Sequence, residues 1–169
     1  MQYRPLILPS LLAVGAGALL GMPAVRADGD INTLILNNKR LNDSVVDNVY
    51  TVQHQAGCTN DIKTKPQLRL AAEWHTHDVL NNRSLDGAIG SDGSTPQDRA
   101  NAAGFQGKVA ETVAINHALA ISNMEIINQW YYRPDYYAIM ADCANTAVGV
   151  WSENALDRSV VVAVYGQPT

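Results

Sequence analysis

Apolar and polar positions follow a helical rhythm through most of the chain and change to the rhythm of strands past Cys143. Between residues 31 and 57, Val45, Val46, Val49 and Val52 recur near helical spacing and the run ends on Gly57, which predicts a helix. Pro66 opens the clearest amphipathic stretch, PQLRLAAEWHTHDVLNN. There Leu68, Ala71, Ala72, His75 and Val79 share one face at i, i+3, i+4, i+7 and i+11. Residues 118–133 put Ile121, Met124, Ile127 and Tyr131 on one stripe, with Pro134 stopping that helix. AVGVWSEN and RSVVVAVYG are rich in valine, are separated by a polar joint at Asn154–Asp157, and read as a β-hairpin. KVAETVAIN at 108–116 alternates too and supplies a third strand. Helices flanking a short, mostly antiparallel sheet make an α/β fold, a three-layer α-β-α sandwich.

The stretch Gly90–Phe105, GSDGSTPQDRANAAGF, packs chemistry-bearing residues together, and each has a backbone role. Thr95-Pro96-Gln97-Asp98 is a capping box with proline at the first helical position. Arg99, Ala100 and Ala103 carry a two-turn helix that Gly104 ends in the left-handed conformation. Asp92 can bond its own backbone two residues on, in a turn that Gly90 and Gly93 permit. The catalytic alternative, a nucleophilic Ser91 or Ser94, lacks the Gly-x-Ser-x-Gly setting and a histidine nearby in sequence.

Composition adds a compartment. MQYRPLILPSLLAVGAGALLGMPAVRADGD has an uncharged apolar run and small residues at Val25 and Ala27, which reads as a signal peptide cleaved after Ala27. The rival is an uncleaved anchor over Pro5 to Val25, against which the prolines and glycines in the run argue. Removing residues 1–27 takes away Arg4 and Arg26 and no acid, so the net charge goes from −4 to −6. That balance, with no basic cluster, argues against nucleic acid or an anionic membrane as partner. Two cysteines in an exported chain, Cys58 and Cys143, are most simply one disulfide, and two free thiols are the alternative.

GSDGSTPQDRANAAGF followed by KVAETVA, with LAAEWHTHDVLNN upstream and QWYYRPDYYAIMADCANTAVGVW downstream, resembles the bacterial secreted branch of the CAP superfamily. That superfamily comprises the cysteine-rich secretory proteins, antigen 5 and pathogenesis-related 1, and its domain is also called SCP-like. The similarity covers most of residues 41–166 in the family's order. It implies an SCP-like domain at 41–169, after an N-terminal segment at 28–40, and a secreted or envelope protein. Such domains line a central cleft with two histidines and one or two glutamates that can hold zinc or another divalent ion. Glu111 matches one glutamate, whereas Gly87 or Ala88 and Tyr136 stand where the histidines belong. The resemblance therefore implies a cleft with its histidines replaced, Glu111 facing Tyr136, no metal and no cofactor. One carboxylate and a phenol with a pKa near 10 are poor zinc ligands at neutral pH.

Other histidines offer no replacement on the sequence pattern. On a helix His75 and His77 lie about 200° apart and cannot share an ion. His75 falls on the apolar face and reads as a hydrogen-bonded core residue, Glu73 and His77 as a surface pair, and His54 and His117 as isolated. Glu111 itself reads as a framework residue.

The function expected from these readings is non-enzymatic: an exported domain, monomeric, that binds an extracellular or cell-envelope ligand, a lipid or other apolar molecule among the choices. Its candidate lining is Glu111, Trp130, Tyr131, Tyr136 and Tyr137, because aromatic faces grip apolar or sugar ligands; the same cluster reads equally well as core. The alternatives are a metal-dependent or serine-based hydrolase and a structural envelope protein without a small ligand. A histidine within about 4 Å of Glu111 would bring metal or acid–base chemistry back.

Overall fold

Helix α1 runs Asn38–Gln55 in the computed structural model, which describes residues 38–169. The signal or anchor at 1–27 and the segment up to residue 37 lie outside the described residues. The valine spacing puts Val45, Val49 and Val52 on the buried face of α1. After it come β1 (Lys63–Thr64), α2 (Pro66–Asn81), α3 (Pro96–Ala102) and β2 (Gly107–Asn116). Then follow α4 (Asn123–Tyr131), α5 (Pro134–Met140), β3 (Ala147–Ala155) and β4 (Arg158–Pro168).

The strands form one sheet in the order β1-β3-β4-β2, with β4 antiparallel to both neighbours and β1 a two-residue parallel addition to β3. Helices α1, α4 and α5 pack on one face around Val49, Ile126, Trp130 and Met140. Helices α2 and α3 pack on the other around Leu68, Ala72, Val79 and Val162. This is the three-layer sandwich, and burying each large aliphatic or aromatic side chain contributes about 1.5–3 kcal/mol. The tightest seam is at Gly149, where α2 lies so close that a Cβ would collide with the backbone of Leu68 and Arg69.

Both ends of α3 form as their local signals predict. The Asp98 amide donates to the Thr95 hydroxyl at 3.2 Å and the Thr95 amide donates to the Asp98 carboxylate at 2.9 Å. Gly104 ends the turn at φ +84°. Thr95→Ala should lower stability by about 1 kcal/mol, a shift of roughly 3 to 5 °C in thermal midpoint. An unchanged melting curve would refute the architectural reading of this stretch. The predicted disulfide is present: Cys58 and Cys143, 85 residues apart, sit with Cα atoms 5.2 Å apart and tie the end of α1 to the approach of β3.

The third predicted helix departs from expectation. It begins after Ser122, which forms a second capping box with Glu125, and it ends at Tyr132. Its buried residues are Ile126 and Trp130, while Met124 is 70% exposed and Ile121 is buried from the loop before the helix. Pro134 starts α5 rather than stopping α4, because proline's fixed φ suits a first helical turn.

The two outer strands are treated differently. On β2, the Gln97 side chain accepts from the Val109 amide (3.1 Å) and donates to the Gly107 carbonyl (3.0 Å). Gln129 does the same to both backbone groups of Ile115, at 3.2 and 3.1 Å. Amide side chains thus occupy an edge that would otherwise invite another strand. On β3, pairing with β1 stops at Val148.

Candidate functional site

Glu111 lies mid-way along β2, on the same face as Val109, Val113 and Ile115, so it points into the layer beneath α2 and α3. Its side chain is fully buried. Arg99, one turn into α3, meets it with one guanidinium nitrogen at 3.0 and 3.1 Å from the two carboxylate oxygens. The same guanidinium donates to the carbonyls of Ala88 (2.7 Å) and Ser94 (2.8 Å) and to the Ser94 hydroxyl (3.1 Å). From α2, His75 brings Nε2 to 2.9 Å from the Gly87 carbonyl and 3.4 Å from Glu111 Oε1. An arginine, a glutamate and a histidine from three elements thus form one buried cluster.

Burial pushes the Glu111 carboxyl up to about 7, with the Arg99 charge and hydrogen bonds pulling it back. Burial likewise lowers the His75 imidazole, helped by Arg99 and opposed by the bond to Gly87. A neutral His75 donates from Nε2 to Gly87, which leaves Nδ1 as an acceptor. Nδ1 and Arg99 Nε are both buried and unpartnered among the described residues. Outside the cluster lies a cavity of about 440 Å³ lined by Trp74, His75, Asp78, Ser91, Ser94 and Arg99 among others, but not by Glu111. Ser91 donates its hydroxyl to Asp78 at 2.6 Å, and Ser94 accepts from Arg99. Partial burial acts to raise Asp78, but the bonds from Ser91 outweigh it and hold the carboxyl below its ordinary range, a weak base. Neither serine meets a histidine.

Solved structures share this architecture. An outer surface protein of Borrelia burgdorferi superposes with a TM-score of 0.68 at 14% identity, over 79% of this chain and 97% of that one. An extracellular protein containing an SCP domain from Bacillus anthracis gives 0.62 at 13% identity, over 74% of this chain and 39% of its own. A cysteine-rich secretory protein of Staphylococcus aureus gives 0.61 at 10%, over 79% and 40%. The fold is that of the CAP superfamily. No protein-family model matches the sequence, and no curated protein does.

Within this CAP fold the expected site residues are dispersed. Glu111 bonds Arg99 under α2 and α3, whereas the Tyr136 ring packs in the core with α1, α4 and α5, its phenol meeting the Val113 backbone and near enough to feel the Glu111 charge. Trp130 is fully buried in that core, and Tyr136 is nearly so, with the Arg133 guanidinium 3.7 Å from its ring centre. Tyr137 is partly buried against the same cluster and meets Tyr131 edge-on at 5.1 Å. None of these aromatics lines the cavity beside His75 or a larger one at the β3 edge.

The residues that do surround Glu111 are His75 and Arg99, which by sequence alone read as a core histidine and a helix former. His75 does hydrogen-bond in the core, and its Nε2 also stands 3.4 Å from Glu111, inside the 4 Å that would bring metal or acid–base chemistry back. A glutamate inside a strand of small and branched residues was the available signal, since a buried carboxylate requires a cation. Glu73 and His77 approach to 4.0 Å on the surface. A divalent ion does not fit the CAP cleft of this chain. A guanidinium already occupies the carboxylate, and among the described residues no group of three His, Cys, Asp or Glu is placed to hold a metal.

Proposed function

We propose that the chain is an exported, non-enzymatic CAP-fold domain that binds a ligand of the cell exterior or envelope. The observation carrying this reading is the sealing of Glu111. The acid that a cleft chemistry would use has no solvent-exposed side-chain surface and is bonded to Arg99. General acid–base work requires reach to the substrate's proton; the sealed Glu111 lacks it, and His75, which borders the smaller cavity, has its Nε2 bonded to the Gly87 carbonyl. Ser91 and Ser94 lack the base that a nucleophile needs. The solved structures with this fold include outer-surface, extracellular and secretory proteins, and among the described residues no helix is long and apolar enough to cross a membrane. Trp130 and Tyr136 are drawn into the core while Tyr131 stays exposed, so the ligand is gripped at the surface.

Calorimetric titration with zinc, alongside peptidase and esterase assays on the exported protein, tests the proposal. The expected result is no zinc binding at micromolar concentration and no turnover. Micromolar zinc binding or hydrolysis that disappears in Glu111→Gln would overturn it.

A further inference from the structure

A cavity of about 880 Å³ lies where β1 ends, between the first half of α1, the start of α2 and the outer edge of β3. Its floor is backbone. The Lys63 and Lys65 amides donate to the carbonyls of Thr146 and Val148, so the even-numbered residues of β3 turn their peptide groups away from β4. Beyond Val148 the chain of β1 leaves for α2, and Val150 and Ser152 continue that outward row inside the groove. Asn38 donates to the Ser152 carbonyl at 2.9 Å. The Val150 amide and carbonyl and the Ser152 amide meet no partner strand and no side chain among the described residues. This contrasts with β2, whose edge two glutamines occupy.

Charge selects the occupant. The groove's acids are engaged: Asp43 with Lys39 at 2.9 Å, and Glu153 with His77 at 3.4 Å and the Trp151 indole at 3.2 Å. Lys65 is exposed at the mouth, and Arg69 lies over the Trp151 ring at 5.2 Å. Neither has a carboxylate partner among the described residues. Asparagines 38, 42 and 154 and these charges offer partners to peptide groups, beside the apolar surfaces of Val46, Pro66 and Leu119 that can take a segment's side chains.

We propose that the β3 edge in this groove takes one extended peptide segment of a partner protein, added as a strand at Val150 and Ser152, with a carboxylate of the segment set on Lys65 and Arg69. Strand addition draws affinity from main-chain hydrogen bonds and specificity from the flanking side chains. The inference rests on the non-enzymatic reading in one respect, that the segment is held and not cut.

The test selects random heptapeptides displayed on phage against the immobilised full-length protein and measures the enriched peptides by fluorescence anisotropy and amide hydrogen exchange. Acidic sequences should be enriched, and their binding should slow exchange at the Val150 and Ser152 amides. Lys65→Glu with Arg69→Glu, both exposed, should weaken binding about tenfold or more. Methylating alternate backbone nitrogens of the peptide should do the same. Failure to enrich any acidic peptide overturns the proposal, as does binding that survives both changes. So does protection of the two amides without peptide, whether by the chain's own leading residues or by a second copy detected in sedimentation. Mass spectrometry of the bound peptide separates the two readings: cleavage would refute the non-enzymatic function while leaving the site intact.

Discussion

Arg99→Met should destabilise the protein by about 3–5 kcal/mol, the range for removing one partner of a buried ion pair. The methionine fills similar space but leaves the Glu111 carboxylate without its cation and the carbonyls of Ala88 and Ser94 without their donor. The loss should depend on pH. Burial already raises Glu111 above its ordinary 4.5, and Arg99 is what opposes the rise. In the variant the folded-state value climbs further. A folded protein whose acid has a raised pKa binds a proton that the unfolded chain releases, so stability falls as pH rises from about 4.5 through the folded value. The variant should therefore be nearest to the parent at the acid end and furthest from it at pH 8. His75, lowered by burial from 6.5, acts in the opposite sense: its contribution is present above 6.5 and lost as pH falls. It is present in both proteins, so the comparison with the parent largely removes it. Urea denaturation at pH 5 and pH 8 makes the measurement. Adding Glu111→Gln to Arg99→Met should recover part of the loss and abolish its pH dependence; a loss that is equal at both pH values would refute the account.

Breaking the Cys58–Cys143 bond should be nearly as costly. For a closed loop of 85 residues the chain-entropy model gives roughly 4.5 kcal/mol. Replacing both cysteines by alanine, or adding dithiothreitol, should lower the urea midpoint accordingly. A midpoint that ignores reductant would mean that the packing of α1 against β3 and α5, and not the crosslink, holds the N-terminal helix.

What the sequence made legible was local. The α3 cap, the glycine that ends it and the valine-rich hairpin each depend on residues within a few positions of one another, and each is where the pattern put it. The start of α4 was equally local, since Ser122 and Glu125 repeat the signature of Thr95 and Asp98. The apolar residues from 118 onward, Ile121 among them, continue the helical spacing across that start and mask it. The cluster around Glu111 was not legible. Arg99 and His75 reach it from two helices on one face of the sheet, and which helices share a face is decided by tertiary packing, not by spacing along the chain. For the same reason the Tyr136 ring joined the core with α1, α4 and α5 instead of lining a cleft.

The strand order also sets a timetable. β4 is the last strand among the described residues and is paired on both sides, with β2 along residues 107–116 and with β3 along 147–155. The first helix, in turn, is bonded to β3 across more than a hundred residues, from Asn38 to Ser152 and Asn154. Until residues 158–168 are in place, β2 has no strand partner and β3 is paired only with the two residues of β1. Contacts of such sequence separation form late and slowly. Sheet closure therefore waits for residues 158–168, and the two long ladders form around the same strand.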